Sequence, residues 1–325
     1  MKAILCEKFG ESQELVYKEI DKPTLKANQI LIKVAACSIN FPDTLIIQGK
    51  YQFKPDFPFS PGSDMSGTVV ETGSEVKHLK VGDEVISISL CGGLAEYAAL
   101  DAARCMPKPK EMSFVEASAF LYTYSTAYYA LKNRGHLKVN EKVLVLGAAG
   151  GIGLAAIELA KAMGAEVIAA ASTQEKLQKC KDVGADHVIN YQEEDLKSKV
   201  KELTDQRGVD VVVDVVGGPY AEPSLRATAW EGRYLVIGFA SGEIPKFPMN
   251  LVLLKGCQIV GVFLGAFTAK APMAYLQLCS ELVDMYKAGK ISPKIRRIFT
   301  LEESPLAIEM MANRKAIGKL VVKID

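Results

Sequence analysis

The sequence predicts an α/β protein in which a doubly wound parallel sheet is inserted into a mainly β domain. Three observations carry this. Val143-Leu-Val-Leu146 runs straight into Gly147-Ala148-Ala149-Gly150-Gly151-Ile152-Gly153, and then into an apolar stretch that stops at Gly164. That is the strand–turn–helix context of a dinucleotide-binding unit. Apolar β-forming runs and helical stretches then alternate to about residue 288, as parallel βα units do. Residues 1 to about 100 and the tail share a different texture of short strands with little helical period.

In chain order, Lys2–Cys6, Gln29–Ala36, Ser66–Thr72 and Asp83–Ser89 are apolar, β-branched runs bounded by Gly, Pro, Asn or Asp. Pro55, Pro58 and Pro61, followed by Gly62, mark an exposed loop. Ser113 with Glu116 forms a capping box that opens a helical region. Thr123-Tyr-Ser-Thr126 is expected to interrupt it, giving two helices. Strands are expected at 142–146, 166–170, 187–190, 210–215, 233–238 and 257–263, and helices at about 151–163, 174–183, 194–205, 220–229 and 271–288. The tail offers a strand at Ile295–Phe299, an amphipathic stretch at 302–313 and a strand from Lys319. The chain is therefore expected to return and complete its first domain, with boundaries at 1–125, 126–270 and 271–325.

At 325 residues the chain is long enough for two cores. Its 39 basic and 38 acidic residues leave no electrostatic case for nucleic acid or an anionic membrane. Seven cysteines are scattered singly, which reads as a reduced, cytoplasmic protein rather than a disulfide framework. No charged-then-apolar leader opens the sequence, and no apolar run approaches the roughly 20 residues of a membrane helix.

In the glycine-rich turn, Gly150 lets backbone approach a pyrophosphate and Gly153 lets the helix pack on the strand. The N–H groups around Ala149, Gly150, Gly151 and Ile152 are expected to face the phosphates. Ala148 stands where the fingerprint has its first glycine. An acidic residue closing the second strand would select NAD. Here Glu166-Val-Ile-Ala-Ala170 is followed by Ala171-Ser172-Thr173-Gln-Glu-Lys176, with no carboxylate at the strand end. Ser172 and Lys176 suit a 2′-phosphate, and this favours NADPH. Ser172 or Thr173 also suits the cap of the next helix, a role compatible with the first.

These pieces together resemble the zinc-independent quinone oxidoreductases (the zeta-crystallin group) of the medium-chain dehydrogenase/reductase superfamily. The motifs are Glu141-x-x-Leu144-x-x-x-Ala148-Ala-Gly-Gly-x-Gly153 with Lys161, Ser38-Ile-Asn40-Phe-Pro-Asp43, Gly184-Ala-Asp-His-Val-Ile-Asn-Tyr191 and Gly232-Arg233. Glu158 departs from the family's usual glutamine. The stretch Trp230–Ala240 resembles the quinone oxidoreductase-like protein 2 branch. The resemblance implies a Rossmann sheet inserted in a GroES-like catalytic domain. It also implies catalytic roles for Asn40 and Asp43 beside the nicotinamide; the other reading of Asp43 is a turn or helix cap. Further cofactor positions implied are Thr126, Tyr191, Gly217, Gly238-Phe239-Ala240, Phe263-Leu264-Gly265, Arg314 and Lys319. Zinc-using relatives have a cysteine in place of Asn40, a Gly-His-Glu in place of Gly62-Ser63-Asp64, and a four-cysteine lobe. The isolated histidines 78, 136 and 187 and the dispersed cysteines do not replace these ligands, so no metal is expected. Cys37 is expected to be a small apolar filler inside a strand, and Asp214 the one polar residue near the end of a buried strand.

Without a metal, the acceptor of a hydride must already be electrophilic. A quinone is the first reading. An α,β-unsaturated ketone or enal is the second, because the group's tyrosine and arginine downstream of the asparagine are here Leu45 and Ile47, which implies a more apolar cleft. A non-enzymatic alternative is an NADPH-binding or RNA-binding regulatory protein. The apolar run at about 256–264 ends the sheet and is expected to pair with a second copy in a homodimer.

Overall fold

A computed structural model describes residues 1–324. In chain order the strands are β1 (Lys2–Leu5), β2 (Val16–Glu19), β3 (Gln29–Ile39), β4 (Asp64–Thr72), β5 (Glu84–Ile88), β6 (Tyr97–Asp101) and β7 (Cys105–Pro107). They continue as β8 (Lys142–Leu146), β9 (Glu166–Ala171), β10 (His187–Asn190), β11 (Val209–Asp214), β12 (Thr228–Val236), β13 (Gln258–Gly261), β14 (Ile295–Phe299) and β15 (Lys319–Lys323). The α-helices are α1 (Phe41–Ile47), α2 (Phe114–Ser118), α3 (Leu121–Tyr128), α4 (Gly151–Ala162), α5 (Gln174–Asp182) and α6 (Leu196–Leu203). After them come α7 (Ala221–Ala227), α8 (Met249–Lys255), α9 (Leu264–Lys270), α10 (Pro272–Lys287) and α11 (Ser304–Ala312).

The chain forms two compact units, Met1–Tyr122 with Pro293–Asp325, and Thr123–Ser292. The tail thus completes the first unit. Helix α10 belongs to the second, with Leu278, Cys279 and Leu282 buried and Glu281 accepting a 2.8 Å hydrogen bond from the Tyr128 hydroxyl. The second break therefore falls at 292, where the sequence suggested 270.

In the first unit a seven-stranded sheet runs β14-β15-β3-β4-β5-β7, with β6 also paired to β3. Its centre is β3, eleven residues long and buried over most of its length. Alternation along it, reset by an irregularity between Val34 and Ala36, sends Ile30, Ile32, Val34, Cys37 and Ile39 into one apolar core with Met65, Val85, Leu320 and Val322. Cys37 is a fully buried filler of that core.

In the second unit six parallel strands run β10-β9-β8-β11-β12-β13. From β8 successive strands are added first toward β10 and then, from β11, toward β13, so the strand order reverses between β8 and β11 and defines the switch point at whose carboxyl edge ligands bind in such sheets. Val143–Leu146 are fully buried, and each such side chain contributes about 1.5–3 kcal/mol of burial. Strand β13 is the edge strand, as expected for the 256–264 segment.

One expectation fails. Thr123–Thr126 does not interrupt the helical region but lies inside α3, which continues in π-helical turns to Arg134; the break is at Ala119–Phe120. Hydroxyl and β-branched residues weaken a helix by propensity, but here all four are buried, and packing of a helix face outweighs propensity. Ser113 does cap α2, its Oγ accepting from Glu116 N while Glu116 accepts from Ser113 N. Helices α1, α8 and α9 and strands β2, β6 and β7 escaped the sequence reading; each is at most seven residues long, too short to show a period.

Candidate active site

The carboxyl edge of the second unit's sheet gathers most of the expected cofactor residues. Gly147 leaves β8 at φ +65°, Gly150 caps α4, and Gly151 and Ile152 form its first turn. A Cβ on Gly153 would lie 2.5 Å from the carbonyl oxygens of Gly147 and Ala148. That glycine is demanded by the protein's own packing. A Cβ on Gly150 would meet only the Gly147 carbonyl oxygen, at 3.4 Å. Packing alone therefore leaves Gly150 free to vary, whereas a ligand approaching the helix N-terminus would require it. Ala149 is buried in the turn, and Thr126 is buried on α3.

Beyond β9, the half-buried Ser172 and Lys176 are joined by a 3.2 Å hydrogen bond from Nζ to Oγ. Thr173 caps α5 through its Oγ, which accepts from Lys176 N. The cap thus falls to Thr173 and leaves Ser172 to the strand end. Tyr191 follows β10, donates its backbone N–H to Ala171 O, and lays its ring 4.1 Å from that of Tyr220.

The next loops are held by Asp214. This residue is 1% exposed at the end of β11. Its Oδ1 accepts from the N–H of Val216 and of Gly217, both at 2.8 Å, and its Oδ2 accepts from the Tyr234 hydroxyl at 2.6 Å. Burial raises the Asp214 carboxyl above the usual carboxylate range. The turn it braces carries Gly217 and Gly218 at positive φ. Gly238 and Ala240 donate backbone N–H groups back to Asp214 O and Val215 O, which sets Phe239 against Gly217. Phe263, largely exposed, caps α9, with Leu264 and Gly265 in its first turn.

A second cluster lies in the first unit. Asn40 ends β3 and opens α1; its backbone N–H donates to Asp43 Oδ2 at 2.7 Å, and Asp43 N donates to Asn40 O at 3.0 Å. Asp43 is therefore a helix-capping residue, but an unusual one, because it is fully buried. Leu320 on β15 pairs with Ile39, so Lys319 and Asn40 are the next positions along neighbouring strands. The Lys319 ammonium donates to Asn40 Oδ1 at 2.7 Å and lies 3.5 Å from Asp64 Oδ2, which also accepts from Ser38 Oγ at 2.9 Å. Ser38 and Asp64 face one another in the β3–β4 register. Burial pushes the carboxyls of Asp43 and Asp64 up to about 6 and pulls the Lys319 ammonium below the ordinary lysine value. Near this cluster Tyr51 and Tyr122 share a hydroxyl hydrogen bond, and burial raises both phenols.

The structure therefore separates the two residues taken from the closing basic segment. Arg314 is exposed in a turn at φ +56°, whereas Lys319 is buried against Asn40 and Asp64. Sequence reasoning missed Asp64 and Tyr51. The signal for Asp64 was present: it stands in the Gly62-Ser63-Asp64 triplet beside the relatives' metal-ligand position. Ile47, expected to affect a cleft, is 1% exposed and packs in the first unit's core, while Leu45 is half-buried. Among the described residues no group of three or more His, Cys, Asp or Glu side chains is placed to hold a metal ion.

Comparison with known proteins agrees with this architecture. Residues 26–110 match the alcohol dehydrogenase GroES-like domain, and residues 151–281 the zinc-binding dehydrogenase family. The quinone oxidoreductase-like protein 2 homolog of Nematostella vectensis is 39% identical over 99% of this chain and 88% of its own length. The Escherichia coli quinone oxidoreductase, solved in complex with NADPH, superposes with a TM-score of 0.92 at 30% identity, covering 99% of this chain and 100% of that one. The CurK enoyl reductase superposes with a TM-score of 0.88 at 28% identity, covering 100% of this chain and 99% of that one. The chain belongs to the medium-chain dehydrogenase/reductase superfamily, in its quinone oxidoreductase family and beside the quinone oxidoreductase-like protein 2 homologues.

Proposed function

We propose that the protein is an NADPH-dependent, zinc-independent reductase that delivers hydride to a quinone. Its full-length likeness to an NADPH-bound quinone oxidoreductase carries this reading. The residues present fit the cofactor: a helix N-terminus whose Gly150 has room for a close ligand, and a Ser172–Lys176 pair with no carboxylate at the end of β9. The backbone N–H groups of Ala149, Gly151 and Ile152 would hold the pyrophosphate, with Gly150, whose own N–H is donated to Gly147 O, giving it room, and Ser172 with Lys176 would hold the 2′-phosphate. Tyr191, Thr126, Gly217, Gly238-Phe239-Ala240 and Phe263-Leu264-Gly265 complete the cofactor's surroundings in the second unit. NADPH, when bound, supplies a hydride, so the protein must orient the acceptor, exclude water and provide a proton. Asn40 orients through its carboxamide. Asp43, whose carboxyl burial raises to about 6, can take up and release a proton at its carboxylate oxygens. Residues 1–122 and the tail make up the catalytic domain, and 123–292 the cofactor domain.

Zinc independence is supported by the donors themselves. Asn40, Ser63 and Asp64 are harder donors than the thiolate and imidazole set such a catalytic zinc takes, and a lysine ammonium already lies against Asn40 and Asp64. We further propose a cytoplasmic homodimer paired through β13, with no nucleic-acid or membrane partner. No helix among the described residues is long and apolar enough to cross a membrane.

A second reading, reduction of the double bond of an enone or enal, is favoured by the apolar, half-buried Leu45 and by the likeness to an enoyl reductase. The deciding experiment is NADPH oxidation against a naphthoquinone, a benzoquinone, an α,β-unsaturated ketone and an enal, with chelator present throughout. Turnover of the quinones supports the first reading. Turnover confined to the enone or enal transfers the protein to the double-bond reductases. Tight NADPH binding without turnover of any acceptor overturns both.

A further inference from the structure

The mechanism above leaves the buried Lys319 unexplained. This side chain is 3% exposed, and its ammonium is engaged by Asn40 Oδ1 and Asp64 Oδ2. Three adjacent strands create the arrangement: β15 supplies the lysine, β3 supplies Ser38 and leads into Asn40, and β4 supplies Asp64. Asp43 reaches the same group from the first turn of α1. The charges are one ammonium and two carboxylates, all out of water. A buried ion pair kept only for stability is readily replaced by apolar residues, often at no loss. One that serves stability alone should also have its polar atoms satisfied. Here Asp64 Oδ1 is buried without a hydrogen-bond partner, and the buried Asp43 carboxylate has only the Asn40 backbone N–H and the Ser63 hydroxyl to bond it. The group has therefore been assembled at the expense of stability.

We propose that Lys319 is a positioning residue, a cation tethered to β15 that orients the Asn40 carboxamide and governs the charge of the Asp43 and Asp64 carboxylates, as a bound metal ion would govern a ligand set. Its hold on Asn40 Oδ1 determines which way the amide faces, so the Asn40 Nδ2 group is the one turned away from the ammonium. Removing the ammonium leaves the carboxamide held only by the long 3.4 Å bond from Asn40 Nδ2 to Ser38 O and leaves two buried carboxylates without a counter-charge. Both then hold their protons to higher pH. The ionisable groups around the cluster are Cys37 on β3, Asp43 on α1, Asp64 on β4, Lys319 on β15, the Cys91 thiol, and the phenols of Tyr51 and Tyr122. Only Lys319 among these is a cation.

The kinetic part of this inference rests on the reductase reading; the titration part does not. The test uses the full-length variants K319M, K319R and K319A. Carboxyl titration by carbon-detected magnetic resonance reads Asp43 and Asp64 directly. In K319M their midpoints should rise by about one unit or more, and in K319R they should stay near the wild-type values. In the quinone assay, kcat of K319M and K319A should fall about 30-fold or more, while the dissociation constant for NADPH stays within about threefold. Added ethylammonium should restore K319A by about tenfold, saturably, because a small cation can enter the space the side chain vacates. Should K319M fail to fold, K319R and amine-supplemented K319A carry the comparison. Unchanged carboxyl midpoints in a folded K319M or K319A overturn the proposal. So does a kcat loss that neither K319R nor ethylammonium relieves. If the wild-type protein reduces no acceptor, the reductase reading falls and the titration still decides the role of Lys319.

Discussion

Replacing Asp214 tests whether one buried carboxylate holds the loops at the carboxyl edge of the parallel sheet. Asp214 accepts three hydrogen bonds, two from backbone N–H groups and one from Tyr234. Asp214→Ala strands two N–H groups and a phenol hydroxyl at about 1–3 kcal/mol each. Relaxation and entering water recover part of this, which gives a loss of roughly 3–5 kcal/mol, the range for breaking a buried charged network. Asp214→Asn keeps the Oδ1 acceptor, and the Tyr234 hydroxyl can turn to accept, so roughly 1–2 kcal/mol is expected. Tyr234→Phe removes one hydrogen bond to a charged acceptor, worth roughly 1.5–3 kcal/mol. The order of destabilisation in urea unfolding should be Asp214→Ala first, with the other two below it. Hydrogen exchange localises the effect, because the Val216 and Gly217 amides should lose protection in Asp214→Ala before the strand amides do. NADPH affinity should fall with it, since Gly217 sits on the turn that Asp214 braces and Phe239 packs against that glycine. A loss below about 1 kcal/mol with both amides still protected would refute the reasoning.

The carboxyls of Asp43 and Asp64 titrate at about 6 in the folded protein, against about 3.9 for an unperturbed aspartate. The folded state then binds more protons between these values, so their contribution is fully present below pH ~4 and is lost as pH rises through about 6. Calorimetry should show a midpoint that falls more steeply over pH 4.5–6.5 in the wild type than in Asp43→Asn; equal slopes would contradict the assignment. Lys176→Ala should weaken NADPH binding by about 1–3 kcal/mol, as expected for a lost charge-assisted bond, and leave NADH binding unchanged; calorimetric titration with both nucleotides reads it, and equal losses would remove the phosphate role. Val260→Glu, on the exposed edge of β13, should give monomers in sedimentation velocity, and an unaltered dimer would exclude edge pairing.

The nucleotide unit was legible in the sequence because its determinants are local. Four consecutive β-formers, a positive-φ glycine and a glycine without space for a Cβ occupy the single stretch Val143–Gly153. The βα alternation and the return of the tail were legible for the same reason, since period and turn residues act over a few positions. Thr123–Thr126 was misread because burial, which propensity does not see, decides that helix. The role of Asp43 could be narrowed only to cap or catalyst, and the fold makes it a cap that is also buried beside two other charges. Asp64 and Lys319 lie 255 residues apart, and nothing local in either one's neighbourhood announces the other. Composition and local pattern determined the architecture and the cofactor turn. Strand order and register decided that Asn40, Asp64 and Lys319 meet out of water beside Asp43, because only pairing between β15, β3 and β4 brings those distant positions into one row.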